Sequence, residues 1–420
     1  MALVVQKYGG TSVADPERIR NVARRIIAGK DRGDRVVAVV SAMGGVTDEL
    51  LELARAVCVE PPAREMDMLL ATGEQVTIAL LAMAIHAEGH EAISLTGPQA
   101  GIVSDSSHGK ARIEAIRADR VVKALDAGFI VIVAGFQGRT EAGEITTLGR
   151  GGSDTTAVAV AAGLSADVCE IYTDVDGVFT ADPRIVARAH KIDTISYEEM
   201  LEMAGTGARV LQLRSVEFAR NHHVVIHVRS SFNDSAGTIV KEADPSMEQA
   251  IISGVTHDTS EAKVTIRDVP DQPGVAAQVF GTLAEANVNV DMIIQNVSEA
   301  GTTDISFTTP KEDLPRARKA VAAVVADLGA RDWTVDESIA KVSLVGAGMK
   351  SHPGVAASMF QALADAGVNL DMISTSTIRI TAAISADEVE RAVAALHTAF
   401  GLDEREVTGE TSPAGGREGE

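Results

Sequence analysis

Leu3-Val4-Val5-Gln6-Lys7-Tyr8-Gly9-Gly10-Thr11-Ser12 opens the chain with an apolar run, a lysine and a glycine turn. The run predicts a short buried strand. Asp15-Pro16 follows, a capping residue with proline at the first helical position, and starts a helix that the pattern carries to about Gly29. A lysine at a strand end beside a glycine loop suits a phosphate: loop amides wrap the oxygens and the ammonium adds a point charge. Here the lysine precedes the glycines, so the order is not that of a P-loop. A surface lysine before a turn fits the same residues.

Outward from this unit, strand-like runs recur at 3–5, 36–40, 92–95, 129–133, 168–172 and 224–228. Helical patterns fall between them, at 49–57, 66–88, 110–127 and 155–162. This alternation predicts an α/β fold, a mainly parallel sheet sandwiched by helices with right-handed crossovers. Ligands of such sheets sit beyond the C-terminal strand ends. Lys7, Ser41, Gly135 and Asp174 each follow a strand closely and can converge on one cleft.

Thr147-Leu148-Gly149-Arg150-Gly151-Gly152-Ser153-Asp154 puts three glycines, a guanidinium, a hydroxyl and a carboxylate into eight residues, ahead of an alanine-rich helical run. Glycines let amides approach an anion, and Ser153 is placed to cap the helix. Arg150 can clasp a carboxylate or phosphate in two-pronged fashion, and Asp154 can hold an ammonium. An anion grip and a cation grip one turn apart suit a zwitterion such as an amino acid. A glycine-rich turn with ordinary capping is the alternative.

The 420 residues suggest two to four domains. Hydrophobic residues make up 45% but aromatics only 3%, so the core is built from Ala, Val, Leu and Ile. The net charge of −21 argues against nucleic-acid or anionic-membrane partners. A bound nucleotide must then be held by local positive groups. Cys58 and Cys169 form no framework, which fits a reducing cytosol, and no apolar run reaches spanning length. His222 and His223, read as neighbours on a strand, would point to opposite faces and share no metal.

The last 170 residues carry an internal repeat. Pro273-Gly274-Val275-Ala276-Ala277 recurs as Pro353-Gly354-Val355-Ala356-Ala357, and 273–293 matches 353–373 at 14 of 21 positions without a gap. Each copy reads as strand, proline-opened helix and strand, and extends to a ferredoxin-like unit of roughly 70 residues. Two such units can stack on each other or across a dimer. The turn before each helix offers free amides to a carboxylate, which favours ligand sensing over padding.

Taken in order, Lys7 to Ser12, Ser41-Ala42-Met43-Gly44, Thr72-Gly73-Glu74, Gly135-Phe136, Thr147 to Asp154, Thr173-Asp174-Val175-Asp176-Gly177 and Asp182-Pro183-Arg184 resemble the aspartate kinases, and most closely their actinobacterial type. The repeat resembles the tandem ACT domains that those enzymes carry. The resemblance covers residues 1–407. It implies a catalytic amino-acid-kinase domain at 1–242 and ACT domains at 263–337 and 341–407. It also implies that a strand within 248–258 completes the second ACT unit. The tail at 408–420, rich in Gly, Glu, Ser and Pro, is expected to be disordered.

The implied reaction takes ATP and L-aspartate to 4-phospho-L-aspartate and ADP, the first step towards lysine, threonine and methionine. A carboxylate of pKa ~4 is already ionised and needs no general base, so catalysis is positioning and electrostatics. The resemblance implies Lys7 as the transition-state cation, with Tyr8, Gly9 and Gly10 beside the phosphates. It implies Arg150 on the substrate α-carboxylate, Glu74 and Asp154 facing its ammonium, and hydroxyls from Ser41, Thr47 and Ser153. Thr173, Asp174, Phe179 and Arg184 match the adenosine and phosphate contacts. Mg2+ is expected on ATP oxygens and water, with no protein metal cage.

Effector residues implied in the first repeat are Asp271, Gly274, Val275, Ala276, Asn289, Asp291 and Gln295. Those in the second are Val355, Ala356, Asn369, Asp371 and Ser376. Lysine and threonine acting together are the expected effectors. Where the family usually has glutamate after Ser374-Thr375-Ser376, this chain has Thr377, which predicts weaker or altered inhibition. Met247 is a possible internal start for a small subunit, giving α2β2 rather than a plain homo-oligomer. Each residue has a structural rival: Glu74 can simply favour a helix dipole, and Asp174 and Asp176 can form a turn before Gly177. Two other functions remain open. One is a kinase of the same fold acting on another carboxylate such as acetylglutamate. The other is an amino-acid sensor with an inactive kinase domain.

Overall fold

A computed structural model describes residues 1–243, 251–297 and 301–403. Met247 and the tail at 408–420 lie outside the described residues. The chain begins with β1 (Leu3–Tyr8), α1 (Pro16–Asp31), β2 (Arg35–Val40), α2 (Val46–Val57), α3 (Ala63–Leu70) and α4 (Thr72–Ala87). β3 (Ala92–Leu95), β4 (Ile102–Ser104), β5 (Ile113–Ile116), α5 (Asp119–Asp126), β6 (Ile130–Ala134), β7 (Gln137–Arg139) and β8 (Ile145–Thr147) follow. Then come α6 (Gly152–Leu164), β9 (Val168–Thr173), β10 (Thr194–Ser196), α7 (Tyr197–Gly205), α8 (Leu213–His222), β11 (Ile226–Ser230) and β12 (Thr238–Lys241).

Eight strands form one sheet in the order β10-β12-β11-β9-β1-β2-β6-β3, parallel except where β12 runs against β11. The central strands β2 and β6 are apolar on both faces because both faces are covered, whereas β1, β9 and β11 set Gln6, Glu170 and Arg229 together on one face. Ile130, Ile132 and Ala134 of β6 pack in one layer with α1 and α4, through Ile26, Ile78 and Ile85. Val131 and Val133 face the other layer, with Val121 of α5, Val158 of α6 and Val216 of α8. Asp15 caps α1 by accepting from the amides of Glu17 and Arg18, with Pro16 next.

Two expected helices differ. Residues 110–127 were expected helical throughout, but 113–116 is the strand β5, paired with β4. Its isoleucines fit a pleat, and α5 takes only the remainder. The expected helix 66–88 is two helices, α3 and α4. The Ala71 carbonyl is taken by the Gln137 amide at 2.8 Å, and Thr72 Oγ1 turns back to the Leu69 carbonyl at 2.7 Å. Strands β4, β5, β7 and β8 form a small second sheet that no run of apolar residues announced. His222 ends α8 and His223 is its left-handed C-cap, so the pair is not on a strand. The helical stretch 63–87 is long and apolar enough to cross a membrane, and 44% of its most apolar window is buried.

The second half holds β13 (Gly254–Asp258), β14 (Glu261–Pro270), α9 (Val275–Glu285), β15 (Ile293–Val297), β16 (Thr302–Pro310), α10 (Leu314–Leu328) and β17 (Asp332–Asp336). β18 (Ile339–Val345), α11 (Val355–Asp365), β19 (Met372–Thr375), β20 (Arg379–Ser385) and α12 (Val389–Ala399) complete it. Two antiparallel sheets result, β15-β16-β14-β17 and β13-β18-β20-β19. β13 precedes the first repeat in sequence yet pairs with β18 of the second, from Gly254↔Val345 to Asp258↔Lys341. The repeats touch through Met292, Met372 and Ala383. β13 also grips the first half: the Val255 amide donates to the Thr180 carbonyl at 2.7 Å.

Candidate active site and its relatives

β1 and β2 run side by side with Lys7 opposite Val39, so Lys7 and Ser41 emerge at the same end of the sheet. Lys7 Nζ lies 2.6 Å from Asp154 Oδ1, an ion pair without hydrogen-bond alignment. A Cβ on Gly9 would sit 3.3 Å from that ammonium, and one on Gly10 would meet the Ala42 carbonyl at 3.0 Å. Glycine therefore keeps this corner open. The α4 N-terminus is drawn against the same corner, because a Cβ on Gly73 would stand 2.9 Å from Ala42 Cβ.

Glu74, in the first turn of α4, is 3% exposed. Its Oε1 accepts the Ala42 amide at 3.2 Å, while Oε2 is buried with no hydrogen-bond partner among the described residues. Burial pushes its carboxyl up to about 7, against the pull of that amide and its own. An ammonium brought to Oε2 would relieve this.

Gly149 and Gly151 both take left-handed φ, 76° and 71°. A Cβ on Gly151 would collide with Gln212 Cγ at 2.0 Å, so no other residue fits there. The helix cap is Gly151, with no side-chain capping bond. Ser153 is thus not the N-cap expected from its position but a buried residue inside the first turn. Arg150 sits at the loop tip with its side chain 86% exposed, and its nearest acid is Glu312 of the second half at 3.8 Å. The expected pair of grips is therefore not assembled: Asp154 faces Lys7, and Arg150 faces water. Tyr8 also departs from expectation. Its ring is fully buried, stacks on Tyr172 at 4.7 Å and donates to Gln6, so only its backbone can face a phosphate. Burial pushes its phenol well above the ordinary range, with Tyr172 and Glu170 adding to it.

Thr173, Asp174, Phe179 and Arg184 line one cavity of about 650 Å³ beyond the end of β9. Arg184 forks onto Asp182 at 2.7 and 3.0 Å, which holds that carboxyl below its usual range. Thr47 lies in the first turn of α2.

In the repeats, Asp271, Gly274 and Ala276 are exposed around the start of α9, with Val275 partly covered. Val355 and Ala356 are partly covered at the start of α11. Asn289, Gln295 and Asn369 are exposed. Asp291 and Asp371, both among the expected effector residues, each meet a lysine of the other repeat. Lys341 Nζ lies 2.6 Å from Asp291 and 2.7 Å from Glu261, and Lys263 Nζ lies 2.5 Å from Asp371. The two pairs are reciprocal, each lysine reaching the aspartate of the other repeat. Burial works against the Lys341 charge, but Glu261 and Asp291 outweigh it and raise its pKa. Ser376 donates to Glu202 of α7 at 2.9 Å.

A family model for the amino acid kinase family matches residues 2–230, and ACT-domain models match 264–326 and 342–400. The chain is 59% identical over 407 residues to an aspartokinase of Mycolicibacterium smegmatis, covering 96% of this chain and 97% of that one. The chain belongs to the aspartokinase family. A Corynebacterium glutamicum aspartokinase is 56% identical over 407 residues, again covering 96% and 97%. Among solved structures, E. coli aspartokinase III in complex with aspartate and ADP (R-state) superposes with a TM-score of 0.82 at 26% identity, covering 94% of this chain and 99% of that one. The same enzyme with lysine and aspartate (T-state) gives 0.75, covering 95% and 99%. The expected α/β class with a tandem ACT pair is borne out.

Several residues at this aspartokinase site escaped the sequence reading. Arg209, and His257 from β13, line the same cavity as Thr173 and Asp174. Burial holds the His257 ring below its ordinary pKa. Asp67 is fully buried and gathers His108 Nδ1 at 2.7 Å, the Gly109 amide and the Thr147 hydroxyl, which ties α3 to the arginine loop. Arg214 donates to the Leu148 and Ala111 carbonyls at 2.9 and 2.8 Å. A basic residue two places after a glycine was the only signal for Arg209, and Asp67 had none.

Proposed function

We propose that the chain transfers the γ-phosphoryl group of ATP to the side-chain carboxylate of L-aspartate, giving 4-phospho-L-aspartate and ADP. The observation that carries this is Glu74: a buried carboxylate oxygen with no hydrogen-bond partner among the described residues, beside the Lys7 corner, is a socket for a free α-ammonium. An acylated amino acid such as acetylglutamate has no cation to put there. Lys7 is the cation for the transferring group, and the Gly9 and Gly10 backbone sits beside the phosphates. Ser41, Thr47 and Ser153 supply hydroxyls, and Asp154 orients Lys7 and meets the substrate ammonium. Arg150 swings in from solvent to the α-carboxylate, a movement that its glycine-flanked loop permits. The 650 Å³ cavity takes the nucleotide, with Thr173, Asp174, Phe179 and Arg184 around it. Mg2+ bound to the phosphates would spread their charge, and no protein metal cage is needed.

The domain division in this reading is 1–242 for catalysis, 263–337 and 341–407 for the ACT units, with β13 completing the second. Lysine and threonine act as feedback effectors at the ACT pair, with inhibition weaker than usual or altered in effector choice because Thr377 brings no carboxylate. The chain assembles as a homo-oligomer or with a small subunit begun near Met247, in the cytoplasm. The test is ATP- and Mg2+-dependent formation of the hydroxamate when hydroxylamine traps the product, with aspartate and acetylglutamate as rival substrates. Turnover with aspartate that falls under lysine plus threonine is expected. Turnover only with acetylglutamate, or none from protein that binds ATP, overturns the assignment. Tight concerted inhibition refutes the inference from Thr377.

A further inference from the structure

α7 carries two carboxylates that the second repeat holds. Glu199 Oε2 completes a capping box with Ser196, while its Oε1 accepts the Ala347 amide at 3.2 Å and the Ser253 hydroxyl. Glu202 Oε1 accepts the Ser376 hydroxyl at 2.9 Å, and its Oε2 pairs with Arg379 Nη1 at 3.2 Å. Ser253 and Ala347 flank the β13–β18 ladder, Ser376 follows β19, and Arg379 opens β20 opposite Val345. The Arg379 and Glu202 side chains are only 18% and 24% exposed, so water screens the pair little.

The other side of α7 belongs to the cavity. Met203 lines it, and so do Gly207, Ala208 and Arg209 in the turn that follows. That turn is fixed at its start. Thr206 Oγ1 donates to the Glu202 carbonyl at 2.6 Å and meets Thr256 Oγ1 of β13 at 2.6 Å. Gly207, at φ 113°, lies so close to β13 that a Cβ would stand 1.8 Å from the His257 carbonyl oxygen. The residue that pairs with Arg379 is thus also the one whose carbonyl anchors the start of the Arg209 turn.

We propose that Glu202 and Arg379 are positioning residues for the nucleotide: their ion pair sets α7, and α7 sets the turn that presents Arg209 to the cavity. This rests on the reading that the cavity takes ATP. It gives Ser376 a place beside the lever rather than in the effector pocket. A ligand that shifts the β19–β20 turn then acts on nucleotide affinity through α7.

The test uses the full-length chain with Glu202→Gln, Arg379→Met and the paired exchange E202R/R379E. Each single change is expected to raise KM for ATP about fivefold, the scale of losing one partly buried ion pair, while kcat and KM for aspartate stay within about twofold. The exchange is expected to recover most of the loss. Unchanged KM for ATP in both singles, equal losses in all three constants, or an exchange no better than the singles overturns the proposal. If circular dichroism shows the exchange misfolded, Ser376→Ala, which removes one hydrogen bond, must shift KM for ATP in the same direction, and no shift overturns it. Calorimetric ADP affinity of the same proteins separates the two ideas. If the wild type does not phosphorylate aspartate, the function falls, while a loss of ADP affinity confined to the variants still upholds the lever.

Discussion

Glu74→Gln separates what a buried carboxylate does to the fold from what it does for a substrate. In the unfolded chain this carboxyl ionises near 4.5, and in the fold burial pushes it up to about 7. Below pH 4.5 both states are protonated and the residue adds no penalty. Between 4.5 and 7 the unfolded state has lost its proton and the folded state has kept it, so stability falls as pH rises. Above 7 both are ionised and the penalty is complete. At ~1.4 kcal/mol per pH unit it reaches about 3 kcal/mol. Glutamine keeps the shape and cannot ionise. The variant should therefore gain on the wild type by about 3 kcal/mol between pH 4.5 and pH 8. Urea unfolding followed by near-UV circular dichroism suits the measurement: Tyr8, Tyr172 and Tyr197 all lie in the first half, and the only tryptophan, Trp333, lies in the first repeat. The same variant should raise KM for aspartate by at least about tenfold, since the ammonium loses its carboxylate. A wild-type-to-variant difference that is flat across this pH range would refute the burial argument. An unchanged KM would refute the ammonium socket.

Other consequences are equally direct. Lys7→Ala should lower kcat by about 10²–10³ with the fold intact by circular dichroism, as expected for removal of one preorganised charge from the transferring group; a loss in KM alone would assign Lys7 to binding. Arg150→Ala should raise KM for aspartate by about 10–100-fold, and Arg150→Lys should recover little, because an ammonium cannot fork. Recovery by lysine would show that only charge matters there. Lys341→Met leaves Glu261 and Asp291 facing each other unpaired and should destabilise the repeats by about 3 kcal/mol, read from Trp333 fluorescence during urea unfolding. An unchanged midpoint would mean that water or another cation replaces the lysine.

The one-dimensional pattern settled a good deal. Apolar runs spaced by amphipathic stretches specify a parallel sheet between two helical layers. The copy of 273–293 at 353–373 specifies two like units, and Asp15-Pro16 specifies the start of α1. These are local or periodic properties, so they survive without coordinates. Three-residue strands such as β4 and β7 are too short to show a period, and the four-residue β5 is hidden inside a helix-like stretch for the same reason.

What the fold alone decided depends on residues distant in sequence meeting. Glu74 could have been a dipole-favouring surface acid. Only the packing of Gly73 on Ala42 buries it and strands its second oxygen. Asp154 and Lys7 are 147 positions apart, and their contact exists because α6 returns over β1. Arg150 shows the converse, since two glycines that look like a phosphate cradle hold the guanidinium in solvent. The repeats carry the same lesson. Their sequences name Asp291 and Asp371 as effector residues, but Lys341 and Lys263 of the opposite repeat occupy these aspartates, and β13 joins the unit farther along the chain. Sequence determines which side chains are available and the period of their elements. Burial and charge pairing, which set the chemistry of each group, belong to the three-dimensional neighbours.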